Sequence, residues 1–270
     1  MGISGGPDII QDGLILSLDA NDKNSYPGLG TTWTDLSGYG NHCSLVNGPT
    51  LLTGSGGNSI SLDGVNDRVN VPSTINGFTY NIHYDLNWTI ECWMYTNTFD
   101  ASPQTYKMIY GNYNGCNYTI YKGNAEGIMI YNATNPSSIF LNFSYGPRNA
   151  SPGSQCPDVA ASWSFGEVGS VLLGLQNRWS HFVMTSDDGT TLKLFIDGIQ
   201  RGSNKTVGFK NSQNRIDNNL VATSNYSWGG DFTSNSANQV NFSICKMYNR
   251  PLSDVEILQN YNALKSRFNL

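Results

Sequence analysis

Short runs of alternating apolar and polar residues, separated by turns rich in Gly and Asp, make up most of this sequence. The clearest example covers residues 179–203, where Asp-Gly turns at 187–189 and 197–198 divide three runs rich in β-branched and aromatic side chains. Glycine readily takes the positive φ that a tight hairpin requires, so this stretch predicts a three-stranded antiparallel meander. Alternate residues from Leu192 to Ile196 are apolar, and we expect them to face the core.

Similar runs recur along the rest of the chain. They predict strands over residues 14–18, 59–62, 68–71, 87–95, 107–110, 118–121, 127–131, 139–143 and 239–248. The C-terminal segment differs, because Ser253 and Glu256 form a capping box and apolar residues then recur at helical spacing as far as Phe268. The pattern predicts an all-β protein, a sandwich of two antiparallel sheets with one short C-terminal α-helix.

The sequence predicts one domain preceded by a short N-terminal segment. Residues 1–12 are polar and Gly-rich, and we predict a flexible N-terminal arm there. Residues 13–270 are long enough to bury a substantial core, and all-β sandwiches of this length often form one domain. Irregular sequence around residues 99–170 predicts inserted loops on one face. In the long polar loop after the first strand, we expect Trp33 and Leu36 to pack beneath the chain.

Charged residues are scarce, at 13% of the chain with a net charge of -5. No cluster of Lys and Arg could neutralise phosphates, which disfavours nucleic acid as a partner. No apolar run is long enough to span a bilayer and no secretory signal opens the chain, so we expect no membrane partner. Asn, Ser, Thr and Gly supply the polarity; they suit loops, and they also suit hydrogen bonding to neutral ligands such as sugars.

The five cysteines form no CxxC pair and are odd in number, so neither a complete disulfide framework nor a zinc site is implied. Cys92 and Cys245 lie in apolar strand runs, where we expect them to act as small core residues. Cys116 and Cys156 lie in loop-like sequence, and the sequence leaves open whether they pair.

Several stretches match one family together: DGLILSLDA (12–20), SYPGLGTTWTDLSGYGNH (25–42), SLDGVNDRVNVP (61–72), WTIECWMY (88–95), RWSHFVMTSDDGTTLKLFIDGIQRGS (178–203) and ICKMYNRPLSDVEILQNYNALKSRF (244–268). In this order and spacing they resemble the laminin-G-like branch of the concanavalin A-like lectin/glucanase superfamily. The resemblance implies a jelly-roll of two packed antiparallel sheets. It also implies carbohydrate or protein binding more often than catalysis, with a structural calcium ion in some members.

Chains that open MGISGGP and end YNALKSRF also resemble the stand-alone domains found among structural proteins of tailed phages of marine and freshwater bacteria. This resemblance implies a place in the virion, assembled in the host cytoplasm. It implies other virion proteins of the capsid or tail as partners, together with self-association.

Catalysis by a glucanase needs two carboxylates about 5–9 Å apart, most simply on alternate positions of one strand. The best candidate strand carries Glu91 alone, and Asp197 belongs to a turn. Nor do the histidines accompany a recognisable nucleophile, an HExxH motif or a phosphate-binding loop. We therefore predict that the chain is not an enzyme.

Calcium prefers several oxygen ligands from carboxylates, amides and backbone carbonyls. Asp63, Asn66 and Asp67 concentrate such groups, and Asp19 opens a second, weaker cluster with its neighbours. Neither has the spacing of an EF-hand. Because tight turns choose the same residues, the alternative is that Asp63 to Asp67 form a turn without a metal.

Two patches combine aromatic rings with planar polar groups, as a shallow sugar site requires. The first contains Tyr113, Asn117 and Tyr118, and the second contains Tyr226, Trp228 and Asp231. Exposed aromatic residues also mark protein interfaces, so subunit contacts are the alternative for both patches.

Three functional hypotheses follow in order of preference. The first is a non-enzymatic virion structural protein of a phage, an external decoration or a tail or fibre appendage subunit, with a lectin-like fold that could hold host-surface glycans. The second is a soluble or cell-surface carbohydrate-binding module of a bacterium. The third is a glucanase-type glycoside hydrolase.

Overall fold

The computed structural model describes residues 8–63, 67–72, 75–77, 87–96, 105–113, 125–132, 139–144, 159–163, 167–168, 170–187, 191–206, 219–220 and 240–270. In chain order the strands of these ranges are β1 (Leu14–Asp19), β2 (Thr32–Trp33), β3 (Cys43–Val46), β4 (Thr50–Gly54), β5 (Gly57–Leu62), β6 (Arg68–Asn70), β7 (Trp88–Thr96), β8 (Thr105–Tyr113), β9 (Ala125–Asn132), β10 (Ile139–Ser144), β11 (Val159–Trp163), β12 (Arg178–Asp187), β13 (Thr191–Ile196), β14 (Ile199–Gln200), β15 (Lys205–Thr206), β16 (Asn219–Leu220) and β17 (Val240–Tyr248). The helices are α1 (Ser170–Leu173) and α2 (Asp254–Leu264), and a 3₁₀ turn (Lys265–Phe268) follows α2.

These strands form two antiparallel sheets. The first sheet has the order β14-β13-β12-β7-β17-β5-β4, with β1 beside β17 and β15 beside β13. The second sheet has the order β11-β10-β9-β8-β16-β6-β3-β2. The predicted all-β sandwich with one C-terminal helical segment is therefore confirmed.

The meander over residues 179–203 is present as β12, β13 and β14. Its second turn places Asp197 at φ 55° and Gly198 at φ 75°, the two consecutive positive φ values of a tight hairpin. The Asp197 carboxylate accepts hydrogen bonds from the backbone N–H of His181 (3.0 Å) and from Arg178 (2.6 Å). Asp197 is thus a turn residue, as predicted, and its charge is used within the fold. Residues 188–190 of the first turn lie outside the described residues.

The central strand β7 is buried on both faces. Trp88, Ile90, Cys92 and Met94 belong to the core between the sheets. Trp93, on the opposite face, stacks on Phe268 (ring centroids 4.1 Å apart) beneath the C-terminal helical segment. Helix α2 therefore covers the outer face of the first sheet, which explains why strands with no polar face are stable here.

The core cysteines behave as expected. Cys92 and Cys245 are buried free thiols, directly opposite each other on β7 and β17. Burial raises the pKa of both thiols well above the usual range. Both residues are therefore protonated and unreactive, as small core residues are. The pairing of Cys116 with Cys156 lies outside the described residues and stays open.

Residues 8–12 are the described part of the predicted flexible N-terminal arm over residues 1–12. From Asp8 onward the chain is tied to the C-terminal region, because Ile10 N–H donates to Asn260 (2.8 Å) and Tyr248 OH donates to the carbonyl of Ile10 (3.2 Å). Arg250 also donates to the carbonyl of Asp12 (3.1 Å). The sequence shows polar residues here, but it does not show that β17 and α2 supply partners for their backbone.

The predicted capping box begins helix α2: the Ser253 hydroxyl accepts from Glu256 N–H, and the Glu256 carboxylate accepts from Ser253 N–H. Arg250 also donates to this carboxylate (2.6 Å). These donors, Arg250 first, lower the pKa of Glu256 to about 2. The Glu256 carboxylate therefore stabilises the fold above the ordinary pKa of 4.5, and this contribution is lost as pH falls toward 2.

We expect Glu256→Gln to lower the free energy of unfolding by about 1 kcal/mol at neutral pH. The difference from the wild type should shrink below pH 4.5, where protonation removes the wild-type advantage. Chemical denaturation across the acidic range in which the protein stays folded measures this. The control is Val255→Ala, at an exposed neighbouring position, which should show no pH-dependent difference. An effect of Glu256→Gln that stays constant with pH would contradict the assignment.

Candidate functional site

The first calcium candidate is arranged as a closed turn at its two described ends. Asp63 N–H donates to the carboxylate of Asp67 (3.0 Å), and Asp67 N–H lies 3.5 Å from the carboxylate of Asp63. Asp67 is buried, and burial together with the nearby charge of Asp63 raises the pKa of its carboxyl group. Asn66 lies outside the described residues. The turn alternative accounts for these contacts, and calcium binding here stays a prediction.

The second calcium candidate, Asp19, is engaged by other protein groups. Its two carboxylate oxygens accept a bidentate pair of hydrogen bonds from Arg267 (2.7 and 2.9 Å), and Asn21 N–H donates to the same carboxylate (2.8 Å). Arg267 also donates to the carbonyl of Gly56 (3.1 Å). The pair between Arg267 and Asp19 joins the 3₁₀ turn to β1. A cation at Asp19 would therefore have to displace the Arg267 guanidinium.

Of the residues in the predicted sugar patches, Tyr113 is the last residue of β8, paired with Ala125 of β9. Asn117, Tyr118, Tyr226, Trp228 and Asp231 lie outside the described residues. Both patches therefore stay predictions. Among the described residues, no group of three or more His, Cys, Asp and Glu side chains could hold a metal ion.

The candidate acid, Glu91, sits in a buried polar network under α2. Glu91 is 0% exposed, and its two carboxylate oxygens accept hydrogen bonds from Lys246 (2.8 Å) and Asn260 (2.7 Å). His181 Nε2 lies 3.3 Å from the oxygen that Lys246 binds, outside hydrogen-bonding alignment. Asn260 also donates to the Tyr248 hydroxyl (3.0 Å), which links the network to the N-terminal segment.

The charge of Glu91 is balanced inside the fold. Burial alone would raise its pKa, but Lys246 directly opposite on β17 and the nearby His181 together hold the pKa below its usual range. The carboxylate is therefore ionised and paired. A sequence signal for this pair exists: Lys246 continues the apolar alternation of β17, and a lysine at such a position needs a buried partner.

No helix in the described ranges is long and apolar enough to cross a membrane.

A family model supplies the identification. The laminin G-like model of the concanavalin A-like lectin/glucanases superfamily matches residues 63–258, which is most of the chain. The chain belongs to this family. A comparison of this laminin G-like chain with curated proteins finds no match.

Solved structures share the concanavalin A-like fold of this laminin G-like chain. The botulinum neurotoxin serotype D binding domain superposes with a TM-score of 0.59 at 18% identity, covering 93% of this chain and 52% of that one. The binding domain of Paraclostridial Mosquitocidal Protein 1 gives 0.58 at 16% identity, covering 94% and 52%. The serotype D ligand binding domain in complex with N-acetylneuraminic acid gives 0.57 at 17% identity, covering 93% and 51%. The chain spans about half the length of these structures.

Membership of a superfamily of lectins and glucanases makes the position of Glu91 informative. An acid that protonates a glycosidic oxygen must touch the sugar. In this laminin G-like chain Glu91 is enclosed and fully hydrogen-bonded, and Asp197 is bound within its turn. Neither of the carboxylates weighed for catalysis is presented to a ligand in this structure.

Proposed function

We propose that this chain is a non-enzymatic structural subunit of a phage particle, an external decoration or a tail or fibre appendage, that binds surface glycans through its lectin-like fold. The observation that carries the glycan-binding part is the concanavalin A-like fold of a lectin/glucanase family member. The same fold occurs in a toxin domain solved with a bound sugar, N-acetylneuraminic acid.

The charge distribution supports binding rather than hydrolysis. Glu91 is paired with Lys246 and Asn260, and Asp197 is paired with Arg178. A retaining or inverting hydrolase needs two accessible carboxyl groups that face the sugar, and these two carboxylates serve the packing of the first sheet instead.

The composition supports a neutral ligand. Only 13% of the residues are charged, and Asn, Ser, Thr and Gly supply much of the polarity of the sequence. Such groups exchange hydrogen bonds with sugar hydroxyls without the cost of desolvating a charge. The placement on a phage particle is supported by the sequence resemblance at the two ends of the chain.

Two assays on the same preparation test this proposal. A glycan array probed with the purified chain, with and without calcium, should give dose-dependent and displaceable binding, and no bound glycan would overturn the binding part. Mass spectrometry of purified phage particles should find the chain, and its absence would overturn the virion part. Glycan binding by a chain absent from particles would favour the second hypothesis, a bacterial carbohydrate-binding module.

A further inference from the structure

The loop between β2 and β3 has a polar interior. Asp35, at its centre, is only 6% exposed. One carboxylate oxygen accepts from the backbone N–H of Ser17 (2.8 Å) and of Ser37 (2.9 Å). The other oxygen accepts from the N–H of Asn41 (2.9 Å) and from the Ser37 hydroxyl (2.7 Å). A single buried carboxylate therefore holds the loop from inside and joins it to β1.

A second buried side chain fixes the other end of this loop. Asn41 donates to the carbonyls of Ile15 (2.7 Å) and Asn76 (3.0 Å), and it accepts from Asn76 N–H (2.8 Å). Gly38 and Gly40 adopt φ 90° and 72°, conformations that glycine takes without strain. The backbone over residues 35–41 is thus determined by polar contacts at both ends, and its apolar side chains are not needed to hold it.

The apolar side chains of the loop face outward instead. Trp33 is fully buried as predicted, but the prediction that Leu36 packs beneath the loop is wrong, since Leu36 is 40% exposed. Tyr39 is 45% exposed. Its carbonyl accepts from the side chain of Asn76 (3.0 Å), and a Cβ on Gly77 would lie 3.1 Å from its ring. The Tyr39 ring is therefore steadied at one edge and open to solvent.

The surroundings of this ring are polar and neutral. Asn76 and Gly77 are exposed next to Tyr39, and the exposed Asn249 donates to the carbonyl of Gly77 (3.0 Å) with its side-chain oxygen close to Gly13. The side-chain oxygen of Asn76 accepts no hydrogen bond from the described residues. The neighbouring Arg250 is bound to Glu256 and Asp12. The Tyr39 surface, defined as Leu36, Tyr39, Asn76 and Gly77, thus combines an aromatic face with an unused amide acceptor.

We propose that the Tyr39 surface is a carbohydrate subsite for a neutral pyranose. The apolar face of the sugar ring stacks on Tyr39 and Leu36, and sugar hydroxyls donate to the side-chain oxygen of Asn76. A rigid loop holds the platform in place before the ligand arrives, which reduces the entropy lost on binding. This inference rests on the proposed function and names where, and for which class of sugar, that function would be carried.

The test compares variants of the full chain by calorimetric titration. The probes are maltotriose, cellotriose, mannotriose and diacetylchitobiose as neutral sugars, and sialyllactose as an acidic one. We expect Tyr39→Ala and Tyr39→Leu to weaken neutral-sugar binding by about 10-fold or more, and Tyr39→Phe to retain it. Tyr39→Leu keeps apolar bulk but removes the flat ring, so it separates stacking from folding. Leu29→Ala, at a 75% exposed loop position outside the Tyr39 surface, is the matched control.

Each result decides a different claim. Wild-type affinity in both Tyr39→Ala and Tyr39→Leu would overturn the subsite and leave glycan binding in place elsewhere on the chain. Binding of sialyllactose alone would overturn its neutral specificity. Failure of the wild type to bind any probe, repeated on the glycan array, would overturn the glycan-binding part of the proposed function together with the subsite.

Discussion

Lys246→Met is expected to lower the free energy of unfolding by about 3–5 kcal/mol, because it leaves the Glu91 carboxylate buried without its cation. Lys246 is 3% exposed and Glu91 is 0% exposed, so water cannot replace the lost partner without opening the packing of α2. Asn260 still donates one hydrogen bond to Glu91, which is not enough to compensate a full charge. Urea denaturation at neutral pH measures the difference.

A double-mutant cycle separates the pair from its surroundings. Glu91→Gln combined with Lys246→Met should cost less than the sum of the two single changes, because the double variant leaves no buried charge unpaired. Val255→Ala, an exposed change on α2, is the control for effects on the helix alone. A loss below about 1 kcal/mol for Lys246→Met would show that the pair is hydrated in solution and would contradict the enclosed network.

Asp35→Ala is expected to cost about 3 kcal/mol, since it orphans the backbone N–H groups of Ser17 and Asn41. Asp35→Asn should cost less, because its amide oxygen can still accept from Ser17, while its NH₂ group meets the donor of Asn41. Denaturation gives the total loss. Amide hydrogen exchange should accelerate most at the backbone N–H groups of Ser17 and Asn41, which lose their acceptor.

The control for this loop is Asp22→Ala. The Asp22 carboxylate also accepts a backbone N–H, from Asn24 (2.8 Å), but at a partly exposed turn where water can replace it. We expect a loss below about 1 kcal/mol there. Equal losses for Asp35→Ala and Asp22→Ala would contradict the view that Asp35 holds the loop that presents Tyr39.

Local sequence rules predict those elements in which the spacing of apolar residues and the residues of the adjoining turn indicate the same structure. Strand β13 matches its prediction because alternate apolar residues end at Asp197-Gly198, whose positive φ values close the hairpin. The capping box of α2 is likewise predicted correctly from the sequence. Strands β2 and β4 were not predicted, because β2 has two residues and β4 is largely exposed, so neither shows an apolar alternation.

The candidate site was less predictable, because its contacts join residues far apart in sequence. Lys246 and Glu91 meet only once β17 lies beside β7, and the loop around Asp35 is fixed by Ile15 and Asn76 from two other segments. The stretch DLSGYGNH shows turn residues, but not which of its side chains turn inward. In the meander over 179–203, Asp197 is held within its turn, as the Asp-Gly sequence predicts.

Native mass spectrometry of the purified chain with neutral oligosaccharides tests the central claim most directly, because one spectrum reports both the complex and the mass of the sugar. The proposed function predicts a protein–sugar complex whose ligand keeps its full mass after prolonged incubation. Cleaved sugar would contradict the non-enzymatic assignment, and no complex with any oligosaccharide would contradict the glycan-binding one.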